Sequence, residues 1–432
     1  MREVMRLATE IDADNPCKQL HFVIGTEDMK NAYRQCPINP AHRCCSCVAF
    51  WDCTSESVKF IVLNGLPFGL SSAVLAFNRT PALLSSVARR CCAAPAVFFF
   101  DDTGVVDVSF AQGSAQAAVR LVYALAGAQL DPDKSQPPAQ CRTFLGLSVN
   151  VGDNQMCKFD LKPGFREQTQ DFINEILSDG HLTSGHAAKL RGKFGWAASG
   201  TYGKCGRGGQ AALVHRQYFD CSEALSASLI DSLLFHRQLA SLVPPRVVSL
   251  QPSRSKPVRL YSDASFDPAK SSDVARLGFV IFPDDGRAPP IGMSADIPAD
   301  LLQLLVDREQ QITPCEALLG VVVPYNVRDF LAQKDVIWYI DNQAACQALV
   351  KGSSSQSDLC SIATITHLVL AKLGCRVYFE YVESEANIAD GLSRGGLNDA
   401  WTLRQGWILQ HATTPSILYV AFRSLHEAML LV

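Results

Sequence analysis

FFFDDTGVV, residues 98–106, is the stretch on which the reading of the chain turns. Three aromatics, Phe98, Phe99 and Phe100, run directly into Asp101 and Asp102, and Thr103-Gly104 opens another apolar run. The pattern predicts a β-hairpin whose tip carries two adjacent carboxylates. Acids at an apolar strand end repel each other and lose hydration, and a bound cation relieves both costs. A bare Asp-Asp pair is more often a solvated turn, so the surrounding sequence decides. Upstream, the predicted strand His21–Thr26 runs into EDMKNAYRQCPI, which sets Asp28 at a second strand end, with Tyr33 shortly after. Between them NGLPFGLSSAVLAFNR, residues 64–79, reads as a Gly-Pro-Gly turn leading into a helix. LDPDKSQ (130–136) and FLGLSVN (144–150) follow downstream.

A second set of acids lies beyond VPPRVVSLQPSRSKP, residues 243–257, whose four prolines read as a linker. RLYSDASFD sets Asp263 at the end of a short strand, and TPCEALLGVVV puts Glu316 in the first turn of an apolar helix. VIWYIDNQAACQAL places Asp341 at a strand end before another helix, and VESEANIADGLSR sets Asp390 among small residues. Each acid alone reads as a surface residue; it is their order, one per element, that carries the resemblance named below. Ser262, Asn342 and Arg394 flank these acids, within reach of a substrate.

The first series resembles the palm of reverse transcriptases, particularly those of Gypsy-type and DIRS-type retrotransposons. The second, with its final N-x-A-D-x-L-S-R string at residues 387–394, resembles the ribonuclease H of such elements. The resemblance implies that Asp28 and Asp101 ligate metal, with Asp102 in a supporting role. It makes Tyr33 the aromatic that excludes a ribose 2′-hydroxyl. It makes Pro67, Phe68 and Gly69 part of a template-and-nucleotide turn, with Phe68 where retroviral enzymes carry Gln. Lys134 becomes the proton donor to leaving pyrophosphate, and Phe144-Leu145-Gly146 a primer grip. Asp263, Glu316, Asp341 and Asp390 become the ligands of a hydrolytic site. Each site is expected to take two Mg²⁺, with Mn²⁺ as an alternative, because paired hard cations activate an oxygen nucleophile and stabilise the leaving oxygen. The implied partners are an RNA template, a DNA primer, an RNA–DNA hybrid and deoxynucleoside triphosphates. In this family a fingers region precedes the first Asp strand, whereas 27 residues precede Asp28 here, so the fingers are expected to be largely absent. His367, inside the apolar pattern IATITHLVLAKL, reads as a helix residue and not as a proton shuttle.

Composition and charge bound the rest. At 432 residues, with 48% hydrophobic and 19% charged residues, the chain reads as a globular protein of several domains. No apolar run is long enough to span a bilayer and no secretory signal opens the sequence, so the expectation is an intracellular protein of cytoplasm or nucleus, neither secreted nor bound to a membrane. The oligomeric state is not legible. Between His181 and Phe219 stand Lys189, Arg191, Lys193, Lys204, Arg207 and Arg216, without an acid. Of these, Lys189, Arg191, Lys193, Lys204 and Arg207 are expected to follow a duplex backbone. Residues 251–394 by contrast hold 13 Lys/Arg and 18 Asp/Glu, acidic enough to attract metal. Cys36, His42, Cys44, Cys45, Cys47 and Cys53 lack the paired spacing of a zinc site and read as reduced thiols.

The expected fold is therefore α+β and α/β over several domains. A palm with truncated fingers spans 1–150, and a helical thumb or connection spans 151–250, basic at 181–219. The linker ends at 251–257, a ribonuclease H-like domain follows at 258–395, and 396–432 is a tail. The long interval between Asp263 and Glu316 predicts an insertion around Pro283–Asp300. The expected activity is RNA-directed DNA synthesis with ribonuclease H hydrolysis. The alternatives are a truncated or domesticated element that only binds nucleic acid, or one retaining only the hydrolytic half.

Overall fold

The computed structural model describes residues 21–153, 156–242, 245–249, 256–269, 274–283, 286 and 288–432. It is a mixed α/β chain that divides into two compact units. One holds residues up to Pro163 together with Pro245–Pro252, and the other holds Gly164–Pro244 and Ser253–Val432.

In the first unit, β1 (Phe22–Asp28) is a buried strand. A hairpin of β2 (Cys47–Asp52) and β3 (Ser57–Val62) follows, exposed along nearly its whole length. β4 (Ala96–Phe99) and β5 (Asp102–Val108) form the second hairpin, and β6 is Gln136–Ala139. The main sheet runs β4-β5-β1-β6, with β1 antiparallel to β5 in a register that sets Asp28 opposite Asp102. Two helices cover it. α1 (Ser71–Cys91) starts directly after the Leu66–Gly69 turn, and α2 (Ser114–Leu125) follows Gly113. Their buried faces, with Phe77, Leu84, Val119 and Tyr123, close a core around Tyr33, Met29 and Val105. A second sheet joins β7 (Cys141–Phe144), β8 (Leu147–Asp153), β9 (Met156–Leu161) and β10 (Arg246–Ser249), in the order β10-β9-β8-β7. The proline-rich stretch read as linker thus supplies an edge strand; its residues 243–244 and 250–255 lie outside the described ones.

The second unit begins with helices α3 (Phe165–Asp179), α4 (Ser184–Ala197), α5 (Ala211–Tyr218) and α6 (Ala227–Leu242). Its sheet is built from β11 (Val258–Phe266), β12 (Ala275–Phe282), β13 (Ile291–Asp296), β14 (Asp335–Ile340), β15 (Arg376–Tyr381) and β16 (Ile408–His411). The order is β15-β14-β11-β12-β13-β16, with β11, β14 and β15 mutually parallel and β12 antiparallel to β11. α7 (Ile312–Asn326) is buried on almost every side because β11, β12 and two further helices surround it. Those are α8 (Gln343–Lys351), which Asn342 caps by accepting the Ala345 N–H at 3.0 Å, and α9 (Ser357–Lys372).

Two expectations change here. Residues 283–300 hold β13, a buried strand between β12 and β16, where an insertion was expected. Residues 396–432, read as a tail, supply β16 and close with α10 (Leu425–Leu431), whose N-terminus is pinned to Asp231 through Ser424, Leu425 and His426.

Candidate functional site

The strongest convergence of acids is in the second unit. Asp263 lies on β11, Glu316 in α7 and Asp341 at the exit of the parallel strand β14, so neighbouring strands and the helix beneath them aim three carboxylates at one point. One oxygen from each lies within 4.8 Å of the others, the one such group of His, Cys, Asp or Glu among the described residues. Glu316 is 3% exposed and Asp263 5% exposed. Glu316 accepts the Ala264 N–H at 3.2 Å through Oε1, and Asp263 accepts the Ser393 hydroxyl. Glu316 Oε2 and Asp341 Oδ1 are buried with no hydrogen-bond donor at all.

Buried carboxylate oxygens without donors are costly, and hard-cation coordination is the chemistry that removes that cost. The electrostatics agree. Burial, together with the neighbouring carboxylates, pushes Asp263 up to about 7 and Glu316 well above the ordinary carboxylate range. The triad fits a divalent cation held by oxygen ligands. It opens into a cleft of about 560 Å³, whose wall includes Phe266, Asn342, Ser384 and Arg394.

Asp390 stands apart from the group. Its Oδ1 lies 2.7 Å from Arg394 Nε, one helical turn on. It is still close enough to raise Asp263 electrostatically. The turn that carries it is locked in place. The Ser393 hydroxyl sits between two acceptors, Asp263 Oδ2 and the Asp390 carbonyl, and shares its one proton with them, while the Ser393 carbonyl accepts the Ser265 hydroxyl at 2.6 Å. Gly278 permits this approach, since a Cβ there would meet Ser393 N at 2.5 Å and Leu392 C at 2.7 Å. Gly278 was not read from the sequence, and Ser393 entered only as the serine of the A-D-x-L-S-R string, without a role. Of the flanking residues, Asn342 lines the cleft. Ser262 is buried and accepts the Trp338 indole N–H at 2.8 Å, so its hydroxyl is spent on the core. His367 is half-buried in α9 with Nε2 2.7 Å from the Leu349 carbonyl, and the desolvation of its ring lowers it to about 4.

The first unit's acids are arranged differently. Phe100 and Asp101 form the hairpin turn, with Phe100 held at φ 54°, a strained position for a bulky side chain. Asp102 starts β5 opposite Asp28, and the Met29 N–H donates to the Asp101 carbonyl at 3.1 Å. Burial, then the charges of Asp101 and Asp28, push Asp102 up, and Lys134 works against them. Lys134 Nζ sits 3.1 Å from Asp28 Oδ2 and is itself raised by that carboxylate. As a set of three, these carboxylates do not reach the mutual 4.8 Å separation that marks the second unit's triad. Tyr33 is buried, stacked on Phe77 at 4.5 Å and tilted against Phe68 at 5.0 Å. Phe68 is 67% exposed, between half-buried Pro67 and exposed Gly69.

The basic stretch splits. Lys189, Arg191 and Lys193 lie on α4, where Lys189 and Lys193 sit over the Phe172 ring and Arg191 over Tyr218. Lys204 and Arg207 lie in a glycine-rich turn packed on the rest of the same unit. Arg207 Nη1 reaches the Lys351 carbonyl at 3.3 Å, and burial and Arg207 lower Lys204. A Cβ at Gly208 would strike Thr364 Oγ1 at 1.9 Å, so this glycine serves packing against α9. Arg216 is 1% exposed and consumed by the Leu182 and Ala224 carbonyls and Asp220. Every described cysteine is free, and none belongs to a metal-ligand cluster.

No family model and no curated protein matches the chain. Among solved structures it is similar to a foamy viral protease-reverse transcriptase dRH with double-stranded DNA, at 15% identity and a TM-score of 0.42 over 84% of this chain and 57% of that one. The same share of this chain aligns with 68% of the foamy viral protease-reverse transcriptase bound to double-stranded DNA, at 15% identity and a TM-score of 0.42. The form bound to an RNA/DNA hybrid aligns over 44% of its length, at 12% identity and a TM-score of 0.43. So loose a likeness places no residue of this chain; the site stands on its own geometry.

Proposed function

We propose that this chain is a retrotransposon-type reverse transcriptase, of the Gypsy or DIRS kind, whose second unit hydrolyses the RNA strand of an RNA–DNA hybrid. The observation that carries the reading is the buried triad of Asp263, Glu316 and Asp341, with two oxygens left without donors inside an open cleft. These three residues would hold Mg²⁺, or Mn²⁺ in its place, and Asp390 is the fourth acid at the site. Bound there, the cations supply Lewis-acid activation toward a phosphodiester. The protein's own part is to fix the acids on strand ends, to keep Asp263 aimed through Ser393, and to present a cleft wide enough for a nucleic-acid backbone.

The hairpin of Asp101 and Asp102 beside Asp28 supports a palm-type polymerase centre in the first unit, taking deoxynucleoside triphosphates on an RNA template and DNA primer. Lys134 is already seated on Asp28, and exposed Phe68 offers a face for the template or nucleotide. In the second unit, the half-buried or exposed cations of α4 supply a duplex-following surface, in the role of a thumb. An intracellular site of action, in cytoplasm or nucleus, goes with this reading; among the described residues no helix is long and apolar enough to cross a membrane.

The test is Mg²⁺-dependent degradation of a labelled RNA–DNA hybrid by the full chain, run beside primer extension. Cleavage with extension is the expected result. Cleavage alone restricts the reading to the hydrolytic unit, and neither activity from folded protein overturns it.

A further inference from the structure

Arg394 pairs with Asp390 and also lines the cleft into which the triad opens. We infer that the Arg394–Asp390 ion pair holds this carboxylate out of the cation site until a phosphodiester backbone draws the guanidinium away, so that nucleic-acid binding and completion of the site are coupled. The inference rests on the hydrolytic reading of the triad above.

Three observations carry it. The pair is close, Nε to Oδ1 at 2.7 Å, yet its side chains are 72% and 39% exposed, so either partner can leave without a desolvation cost. Arg394 lines the cleft that the triad opens into. A guanidinium can bind a phosphate with two parallel hydrogen bonds, whereas its contact with Asp390 here is the single Nε–Oδ1 approach. Finally, the backbone of the turn is fixed. The Ser393 hydroxyl sits between Asp263 on β11 and the Asp390 carbonyl, 2.9 Å from the latter, so the turn that carries Asp390 is fastened to the strand that carries Asp263.

The experiment is a calorimetric titration of Mn²⁺ into the full chain, with and without an RNA–DNA hybrid whose RNA strand carries 2′-O-methyl groups that block cleavage. Binding of Mn²⁺ to the hybrid alone is subtracted. Wild type, Arg394→Gln, Arg394→Lys, Asp390→Asn and the double Asp390→Asn/Arg394→Gln are compared, each checked for native circular dichroism. The hybrid should tighten Mn²⁺ binding in the wild type. Arg394→Gln should bind Mn²⁺ tighter without hybrid, by up to about fivefold, the strength of an exposed pair, and gain little more when hybrid is added. Arg394→Lys should behave as wild type, and the double variant should lose the gain.

Arg394→Gln binding Mn²⁺ as weakly as wild type, or a gain that survives in the double variant, overturns the inference. A parallel titration of Asp341→Asn separates the two levels. Wild-type Mn²⁺ affinity in that variant removes the hydrolytic reading and this inference together. Weakened binding there, with an unresponsive Arg394→Gln, removes this inference alone.

Discussion

Asp28, Asp101 and Asp102 have a lysine beside them, whereas Asp263, Glu316 and Asp341 aim their carboxylates at one point. In the first unit, Lys134 lies against Asp28 and opposes, without cancelling, the upward push on Asp102. In the second, burial and mutual repulsion raise Asp263 and Glu316 together, and two oxygens have no donor. The lesson is that the number of acids says less about a cation site than what else neutralises them. A cluster that the protein has already satisfied is stable empty, and one left unsatisfied is a demand for a ligand.

The largest effect that sharpens this contrast is on turnover. Glu316→Gln should lower hybrid cleavage by about 10²–10³-fold, the scale of losing one pre-organised electrostatic partner, while Asp102→Asn leaves cleavage unchanged. A single-turnover cleavage assay checks both.

The next effect is on stability. The folded state raises Asp263 from 3.8 to about 7, so between those values native protein holds a proton that the unfolded chain has released. Stability of the metal-free chain therefore falls as pH rises from about 4 to about 7, by on the order of 4 kcal/mol, and Mg²⁺ should restore it above that range. Urea unfolding in EDTA and in Mg²⁺, at pH 5 and pH 8, reads this out; a metal-free chain more stable at pH 8 contradicts it.

The smallest effect is at Lys134. Its removal should leave the melting temperature unchanged, because the pair with Asp28 is exposed on the lysine side. It should still slow primer extension. A clear drop in melting temperature would show that the first unit depends on that pair after all.

Much of this was legible in the sequence where the signal is local. The hairpin at 98–106, the helices after Gly69 and Gly113, and the apolar helix carrying Glu316 follow from periodicity and punctuation. What escaped depends on non-local pairing. Gly292-Met293-Ser294-Ala295 has weak strand propensity, and β13 exists because β12 and β16 bond to it from both sides. Charge counting placed Arg216 in the basic stretch, and only the fold reveals that its guanidinium is spent on two carbonyls and Asp220. At Asp390 the i, i+4 spacing to Arg394 was visible, yet a ligand reading of the acid left no place for its partner.

The most direct test of the contrast is hybrid cleavage by Asp341→Asn and Asp101→Asn, measured side by side in Mg²⁺ with folding confirmed. Cleavage abolished in Asp341→Asn and retained in Asp101→Asn is the predicted result. Cleavage retained in Asp341→Asn, or lost in Asp101→Asn alone, would contradict the assignment of hydrolysis to the buried triad.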